Sequence, residues 1–246
     1  MVITTEYVEV EVGGGPMRML VCAPRGEGVW PGVLCYSDIF QLTGPTVRAC
    51  ARLAGYGFVV AAPEIYHRLE PPGTVIAFDD AGRARGLEDA SRTSVAEFDA
   101  DCRTALDYLA AHTRVSTGRL AAAGFCIGGH LAFRAALHRD VRATACFYPT
   151  GVHDGRLGAD SDAGTLARAR EIRGELLLVF GSEDPHVPEE GREKIAAALR
   201  EAGASFEVKL YAAEHAFMRD EGPRYDPEAA DAAFADMLKL FRQTLN

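Results

Sequence analysis

The sequence predicts an α/β fold in which a mainly parallel central sheet carries helices on both faces. Short apolar runs alternate with longer segments of helical periodicity along the chain, a pattern typical of successive β-α-β units. At 246 residues, the chain is long enough for one domain with a sizeable core. No linker-like segment divides it, so we expect residues 1–246 to form a single domain.

The first part of the chain contains four predicted strands and one predicted helix. Residues 8–12 alternate polar and apolar side chains, which indicates a strand with one buried face. Residues 18–23, 33–36 and 58–61 are mainly apolar runs typical of strands. Residues 46–55 lie between two of these runs and are predicted to form a helix.

Residues 66–91 are rich in Pro, Gly and charged side chains and show little periodicity. The segment is therefore predicted to be a long loop. Loops of this length inside a compact domain tend to be functional or mobile, so we expect it to overhang a pocket.

Beyond residue 91 the alternation of helices and strands resumes and continues to a closing amphipathic helix. The predicted helices are 95–112, 128–138, 189–202 and 227–245, and the predicted strands are 120–123, 143–148, 176–180 and 206–211.

Composition argues against several classes of function. The net charge of −9 disfavours a nucleic-acid partner, because phosphate binding requires clustered Lys and Arg. No apolar run is long enough to cross a membrane. Residues 1–12 lack a basic segment followed by an apolar one, so they do not resemble a signal peptide. We expect a cytoplasmic protein without a membrane or nucleic-acid partner.

The cysteines and histidines show no pattern of metal or disulfide sites. The six cysteines form no CxxC pairs, and a chain of this length does not depend on disulfides for its core. The seven histidines include no HExxH motif and no cluster with zinc-ligand spacing. We therefore expect buried thiols, no metal and no cofactor.

The most informative segment is Gly124-Phe-Cys126-Ile-Gly128, which follows an apolar strand and precedes a helix. It matches a nucleophile elbow in which cysteine replaces serine. The turn requires a strained nucleophile, and glycine on both sides avoids Cβ collisions. The following helix N-terminus would lower the pKa of the thiol. The alternative interpretation is a glycine-rich turn that holds a buried cysteine.

An acid and then a histidine should follow such a nucleophile, at the ends of later strands. Asp184 lies in a turn after the strand at 176–180, with Glu183 as its nearest competitor, and His215 follows the last strand. His215 would take the thiol proton, Asp184 would orient the imidazole, and the intermediate would be a thioester. Alone, Asp184 could equally be a turn former. Three other histidines are interpreted as structural or exposed: His130, His153 and His186.

These motifs resemble the dienelactone hydrolase (carboxymethylenebutenolidase) family of α/β-hydrolases over nearly the whole chain. The matching segments are Tyr-Ser-Asp-Ile-Phe at 36–40, Pro-Glu-Ile-Tyr at 63–66, Pro-Gly-Thr at 72–74, the elbow at 124–129, Asp-Pro-His-Val-Pro at 184–188 and His-Ala-Phe at 215–217. The cysteine in the elbow is the most specific of them.

The resemblance implies an oxyanion hole formed by the backbone N–H groups of Ile39 and Ile127, a pair that is also usual for this fold. It further implies an acidic residue at position 38 that restrains and then activates the thiol. The family commonly has Glu there, whereas this chain has Asp38, which is one methylene shorter. A loop carboxylate that caps a helix is the alternative role.

Substrate carboxylate in this family is held by two arginines, and Arg219 matches one of them. Arginine suits the task because it binds carboxylates bidentately. Arg83 and Arg85 are both candidates for the second. Tyr148 and Tyr66 are further candidates for the pocket wall, although aromatic residues at strand ends are commonly packing residues.

Three functions remain open from the sequence. The first is hydrolysis of a small carboxylate-bearing lactone or ester, and the second is a broader carboxylesterase or thioesterase with the same triad. The third is a ligand-binding protein without catalysis, since fold alone does not fix function. The complete set of Cys126, Asp184 and His215 favours catalysis.

Overall fold

The computed structural model describes residues 1–245. The strands of this part of the chain are β1 Ile3–Val12, β2 Gly15–Pro24, β3 Trp30–Tyr36, β4 Val59–Pro63, β5 Val115–Phe125, β6 Val141–Phe147, β7 Glu175–Gly181 and β8 Ser205–Tyr211. The helices are α1 Gly44–Gly55, α2 Asp80–Arg92, α3 Val95–Ala111, α4 Ile127–Ala135, α5 Glu189–Ala202 and α6 Pro227–Leu245, with a 3-10 helix at Leu166–Glu171.

All eight strands form one sheet in the order β1-β2-β4-β3-β5-β6-β7-β8. β1 pairs antiparallel with β2, β2 pairs antiparallel with β4, and the remaining pairs are parallel. The structure confirms the predicted fold class. Strand bounds differ at the ends, because β1 and β5 begin earlier than predicted at residues whose side chains are largely exposed.

Helices cover both faces of this sheet. On one face, α1 and α6 contribute Leu53, Phe234 and Phe241 to an apolar core, and on the other face α3 and α5 contribute Leu106 and Leu199. Central strands covered on both sides are apolar throughout, and each buried Leu or Phe contributes about 1.5–3 kcal/mol. Across residues 1–245, no helix combines the length and hydropathy that a membrane span needs.

The prediction of a long loop at 66–91 was wrong, because α2 occupies its second half. Asp79 caps this helix by accepting a hydrogen bond from the Gly82 N–H at 2.7 Å. Gly82 and Gly86, which obscure the helical pattern in the sequence, are required by close packing. A Cβ on Gly82 would lie 2.0 Å from the Ala77 carbonyl oxygen, and one on Gly86 would lie 2.4 Å from that of Ile39. Tertiary contact therefore overrides the low helix propensity of glycine.

Candidate active site

Four loops meet at the carboxyl edge of the parallel strands, where ligands bind in open α/β sheets. Asp38 follows β3, Cys126 follows β5, Asp184 follows β7 and His215 follows β8. The side chains identified from distant parts of the sequence therefore converge at one edge of the sheet.

Cys126 occupies a strained turn between β5 and α4, with φ 59° and ψ −120°. Such a conformation costs a non-glycine residue about 1–3 kcal/mol. The flanking glycines permit it, because a Cβ on Gly124 would lie 2.0 Å from the Gly128 carbonyl oxygen and one on Gly128 would lie 2.1 Å from that of Ser37. The Cys126 N–H donates to the Phe147 carbonyl at 3.1 Å, which fixes the turn against β6.

His215 and Asp184 form a buried pair in which His215 Nδ1 lies 2.7 Å from Asp184 Oδ2. The side chains of His215 and Asp184 are 5% and 0% exposed. The other oxygen of Asp184 accepts the His186 N–H at 2.7 Å. Burial opposes ionisation of Asp184, but these hydrogen bonds leave its pKa below the usual value. Glu183, the competing acid of the sequence, is exposed.

The Cys126 sulfur lies beside this imidazole. Burial alone would lower the pKa of His215, but the nearby Cys126 sulfur and the Asp184 carboxylate raise it to about 9. The Cys126 sulfur also lies 3.9 Å from Thr150 Oγ1, and either atom can donate in this weak hydrogen bond. Hydrogen bonds of unliganded catalytic groups are commonly loose and tighten with substrate.

Ile39 and Ile127 line the same cavity as Cys126. Within residues 1–245, neither N–H donates a hydrogen bond. Ile127 is the first residue of α4, so its N–H is one of the unpaired donors at a helix N-terminus. The oxyanion hole predicted for these two groups stays a prediction, and their lack of a protein acceptor is compatible with it.

Asp38 forms an ion pair with Arg219. Within residues 1–245, no hydrogen bond joins Asp38 to Cys126. Arg219 donates to Asp38 Oδ2 from Nε at 3.1 Å and from an Nη at 2.6 Å. Asp38 Oδ1 accepts the Phe40 N–H at 2.9 Å. The guanidinium also stacks against Phe40 and Phe78, at 4.8 and 4.7 Å from the ring centroids. The action of Asp38 on the thiol stays a prediction, while its contact with Arg219 is direct.

A cavity of about 280 Å³ adjoins Cys126 and His215. Arg83, on α2, and Arg219 both line it, whereas Arg85 lies outside and pairs with Glu70 at 2.5 Å. The helix that replaced the expected loop thus directs one of the two candidate arginines to the cavity.

The two tyrosines lie behind the site. Tyr148 is fully buried, with its ring edge-to-face against His215 at 5.0 Å, and burial raises its pKa. It lines a smaller adjacent cavity of about 110 Å³ together with Asp38 and Arg219. Tyr66 is also buried, and its backbone N–H donates to Gln41 at 3.2 Å. In residues 1–245, no group of three His, Cys, Asp or Glu side chains is arranged to hold a metal ion.

The model of the dienelactone hydrolase family matches residues 17–245. The chain belongs to the dienelactone hydrolase family. A carboxymethylenebutenolidase of Pseudomonas sp. strain P51 is 29% identical and is aligned over 97% of this chain and 95% of its own length. A Saccharomyces cerevisiae protein, whose name also refers to carboxymethylenebutenolidase, is 34% identical over 100% of this chain and 93% of its own.

Solved structures agree with this assignment. A crystal structure from Klebsiella pneumoniae, whose name refers to dienelactone hydrolase, has a TM-score of 0.82 and 25% identity. The two structures align over 99% of this chain and 100% of the Klebsiella pneumoniae chain. The expected family and the expected enzyme class are confirmed: the chain is a hydrolase of the dienelactone hydrolase type.

Sequence reasoning missed several residues that line the cavity of this family member. Thr150 follows β6, His186 follows the acid, and Arg156 and Arg224 lie on irregular segments before the 3-10 helix and before α6. His186 had been interpreted as structural or exposed. No sequence motif indicates either arginine, because the sequence of an irregular segment does not show the direction in which its side chains point.

Proposed function

We propose that this hydrolase opens a small carboxylate-bearing lactone, with Cys126 as nucleophile, His215 as general base and acid, and Asp184 as the group that orients the imidazole. The observation that carries the proposal is the 2.7 Å His215–Asp184 contact beside a cysteine in a strained elbow. Cys126 and His215 line one cavity together with Ile39 and Ile127, and acyl transfer by a thiol uses a nucleophile, a base and oxyanion donors in such an arrangement.

The first half of the reaction forms a thioester. His215 takes the Cys126 proton, and the sulfur attacks the lactone carbonyl carbon. The resulting oxyanion accepts hydrogen bonds from the N–H groups of Ile39 and Ile127, a contribution typically worth about 10²–10³ in rate per donor. The tetrahedral intermediate collapses by breaking the ring C–O bond, and the departing oxygen takes the proton from the His215 imidazolium.

The second half releases the product. His215 removes a proton from water, which attacks the thioester carbonyl, and the C–S bond breaks as the sulfur regains the proton. Because the leaving oxygen of a lactone stays attached to the acyl group, the intermediate carries the mass of the whole substrate. Arg219, on the cavity wall, would bind the substrate carboxylate.

A broader carboxylesterase or thioesterase activity on the same triad is the second candidate. It is favoured by the apolar part of the cavity wall, which includes Leu87, Ala90 and Leu157. Such side chains accept neutral acyl groups that lack a carboxylate.

The test compares hydrolysis of a dienelactone and a small aryl ester, followed by ultraviolet absorbance, for wild type, Cys126→Ala and Cys146→Ala. Cys146 is a matched control because it is a buried thiol outside the cavity. We expect Cys126→Ala to lose a factor of about 10³ or more in kcat/KM for both substrates and Cys146→Ala to stay near wild type.

The outcomes separate the candidates. Faster cleavage of the lactone than of the ester supports the lactonase, and cleavage of the ester alone supports the broader esterase. Intact-mass analysis of acid-quenched enzyme should show wild type increased by one whole substrate. Full activity of Cys126→Ala would rule out the cysteine mechanism.

A further inference from the structure

The charge of the cavity beside Cys126 exceeds what one substrate carboxylate requires. Its wall carries four arginines, Arg83, Arg156, Arg219 and Arg224, and no Asp or Glu. The whole chain has the opposite balance, with 35 acidic and 26 basic residues. A cavity with one sign of charge attracts ligands of the other sign.

These arginines differ in the partners they have within the protein. Arg219 is held by Asp38 at 2.6 Å, and Arg156 lies 3.9 Å from Asp154 with 78% of its side chain exposed. Arg83 and Arg224 form no ion pair with any residue in 1–245. An arginine that lines a cavity without a carboxylate partner is available to a ligand anion.

Arg224 is held at the cavity by an ordered backbone. The Gly222 N–H donates to the Arg219 carbonyl, and the Tyr225 N–H donates to that of Gly222, at 3.0 and 3.1 Å. Asp226 then starts α6 by accepting the Ala229 N–H at 3.0 Å. The backbone is fixed on both sides of Arg224, so little backbone entropy is lost when the side chain binds an anion.

Arg219 differs from Arg83 and Arg224 in the groups that lie next to it. Arg219 is fixed on the side of Asp38 and Phe40. Arg83 and Arg224 line the cavity together with His186. Burial and the charge of His215 lower the pKa of His186, and the charges of these two arginines lower it further.

We propose that the cavity takes a substrate with two anionic groups, one bound at Arg219 and the other in a second subsite formed by Arg224 and Arg83. The proposal rests on the proposed function of Cys126, because it names the substrate class of that same cavity. The second group is a carboxylate or an isosteric anion on the lactone or ester substrate.

The kinetic test uses two lactones that share one ring and carry either one or two carboxylates. Wild type should prefer the dianion in kcat/KM by about 10- to 100-fold, as expected for charge-assisted hydrogen bonds. Arg224→Gln should lower kcat/KM for the dianion at least tenfold more than for the monoanion, mainly through KM. Arg156→Gln should reduce the preference less, because Arg156 is exposed.

Arg139→Gln is the matched control, since Arg139 is an exposed arginine outside the cavity. It removes one positive charge from the protein and should leave the ratio between the two substrates at the wild-type value. Equal kcat/KM for both lactones in wild type, or an equal loss for both in Arg224→Gln, would overturn the second subsite.

A binding measurement tests the second subsite independently of the proposed reaction. Calorimetry on Cys126→Ala should show a dicarboxylate lactone binding at least tenfold more tightly than the monocarboxylate, with the difference lost in Cys126→Ala/Arg224→Gln. If wild type cleaves neither lactone but this difference is present, the subsite stands and the proposed reaction fails. If cleavage depends on Cys126 but the difference is absent, the subsite fails alone.

Discussion

Two buried histidines flank the nucleophile elbow, and they have opposite electrostatics. His130, in α4, is 0% exposed, and its pKa is lowered to about 3 by burial and by the charge of Arg134. His215 is 4% exposed, but the Cys126 sulfur and Asp184 overcome the effect of burial and raise its pKa to about 9. Both imidazoles are buried, so the sign of the charge next to each ring decides whether its pKa is lowered or raised.

Their hydrogen bonds differ in the same way. His130 uses both ring nitrogens structurally, with Nδ1 donating to the Thr150 carbonyl at 3.0 Å and Nε2 accepting from the Thr165 hydroxyl at 2.8 Å. His215 binds Asp184 through Nδ1 alone, and the proposed mechanism uses its other nitrogen for the thiol and the substrate. A buried histidine can act in catalysis when one nitrogen stays free beside a nucleophile and a cavity.

The largest expected effect follows from removing each imidazole. His215→Asn should lower kcat/KM for the lactone by about 10³ or more, since the thiol loses its base and the leaving oxygen loses its acid. His130→Asn should keep most of the activity but lose about 1–3 kcal/mol of unfolding free energy, because buried partners of the ring lose hydrogen bonds. Kinetics and urea unfolding of both variants provide the check.

A reversed pattern would contradict this comparison. If His130→Asn were the inactive but stable variant, then the ring of α4 would be part of the chemistry. If His215→Asn were active, a different base would have to serve Cys126.

The same comparison shows how far sequence reasoning reached. The convergence of Cys126, Asp184 and His215 could be predicted because the carboxyl ends of parallel strands share one edge of the sheet, so strand order alone brings distant residues together. Arg156 and Arg224 could not be found, because their directions depend on irregular backbone between elements. The helix at Asp80–Arg92 was missed because two of its positions must be glycine to pack against Ala77 and Ile39. These glycines interrupt the apolar periodicity by which a helix is predicted.

The next expected effect is on titration. His215 in wild type should titrate near pH 9, and its pKa should fall in Cys126→Ala because one of the groups that raise it is gone. His130 should stay neutral from pH 5 to pH 10 in both proteins, since its pKa is about 3. Nitrogen-15 NMR of the imidazoles measures both, and an unchanged His215 pKa in Cys126→Ala would show that the sulfur does not act on that ring.

The smallest expected effect extends the comparison to two buried carboxyls. Asp184 faces a histidine and has a lowered pKa, whereas burial and the neighbouring Glu70 carboxylate raise the pKa of Asp89, in α2, to about 6. The folded state therefore binds the Asp89 proton more tightly than the unfolded state, whose pKa is near 3.9. Its stabilising contribution is complete below about pH 4 and is lost as pH rises to about 6.

Asp89→Asn removes this titration while keeping the size of the side chain. The variant should gain thermal stability relative to wild type as pH rises from 4 to 7, by a few degrees at most. Asp140→Asn, at an exposed carboxyl, makes the same chemical change on the surface and is the matched control. Differential scanning calorimetry at several pH values measures both. If the difference in thermal stability between Asp89→Asn and wild type did not change with pH, Glu70 would not act on Asp89. The sign of the neighbouring charge would then distinguish His215 from His130 but would not distinguish Asp184 from Asp89.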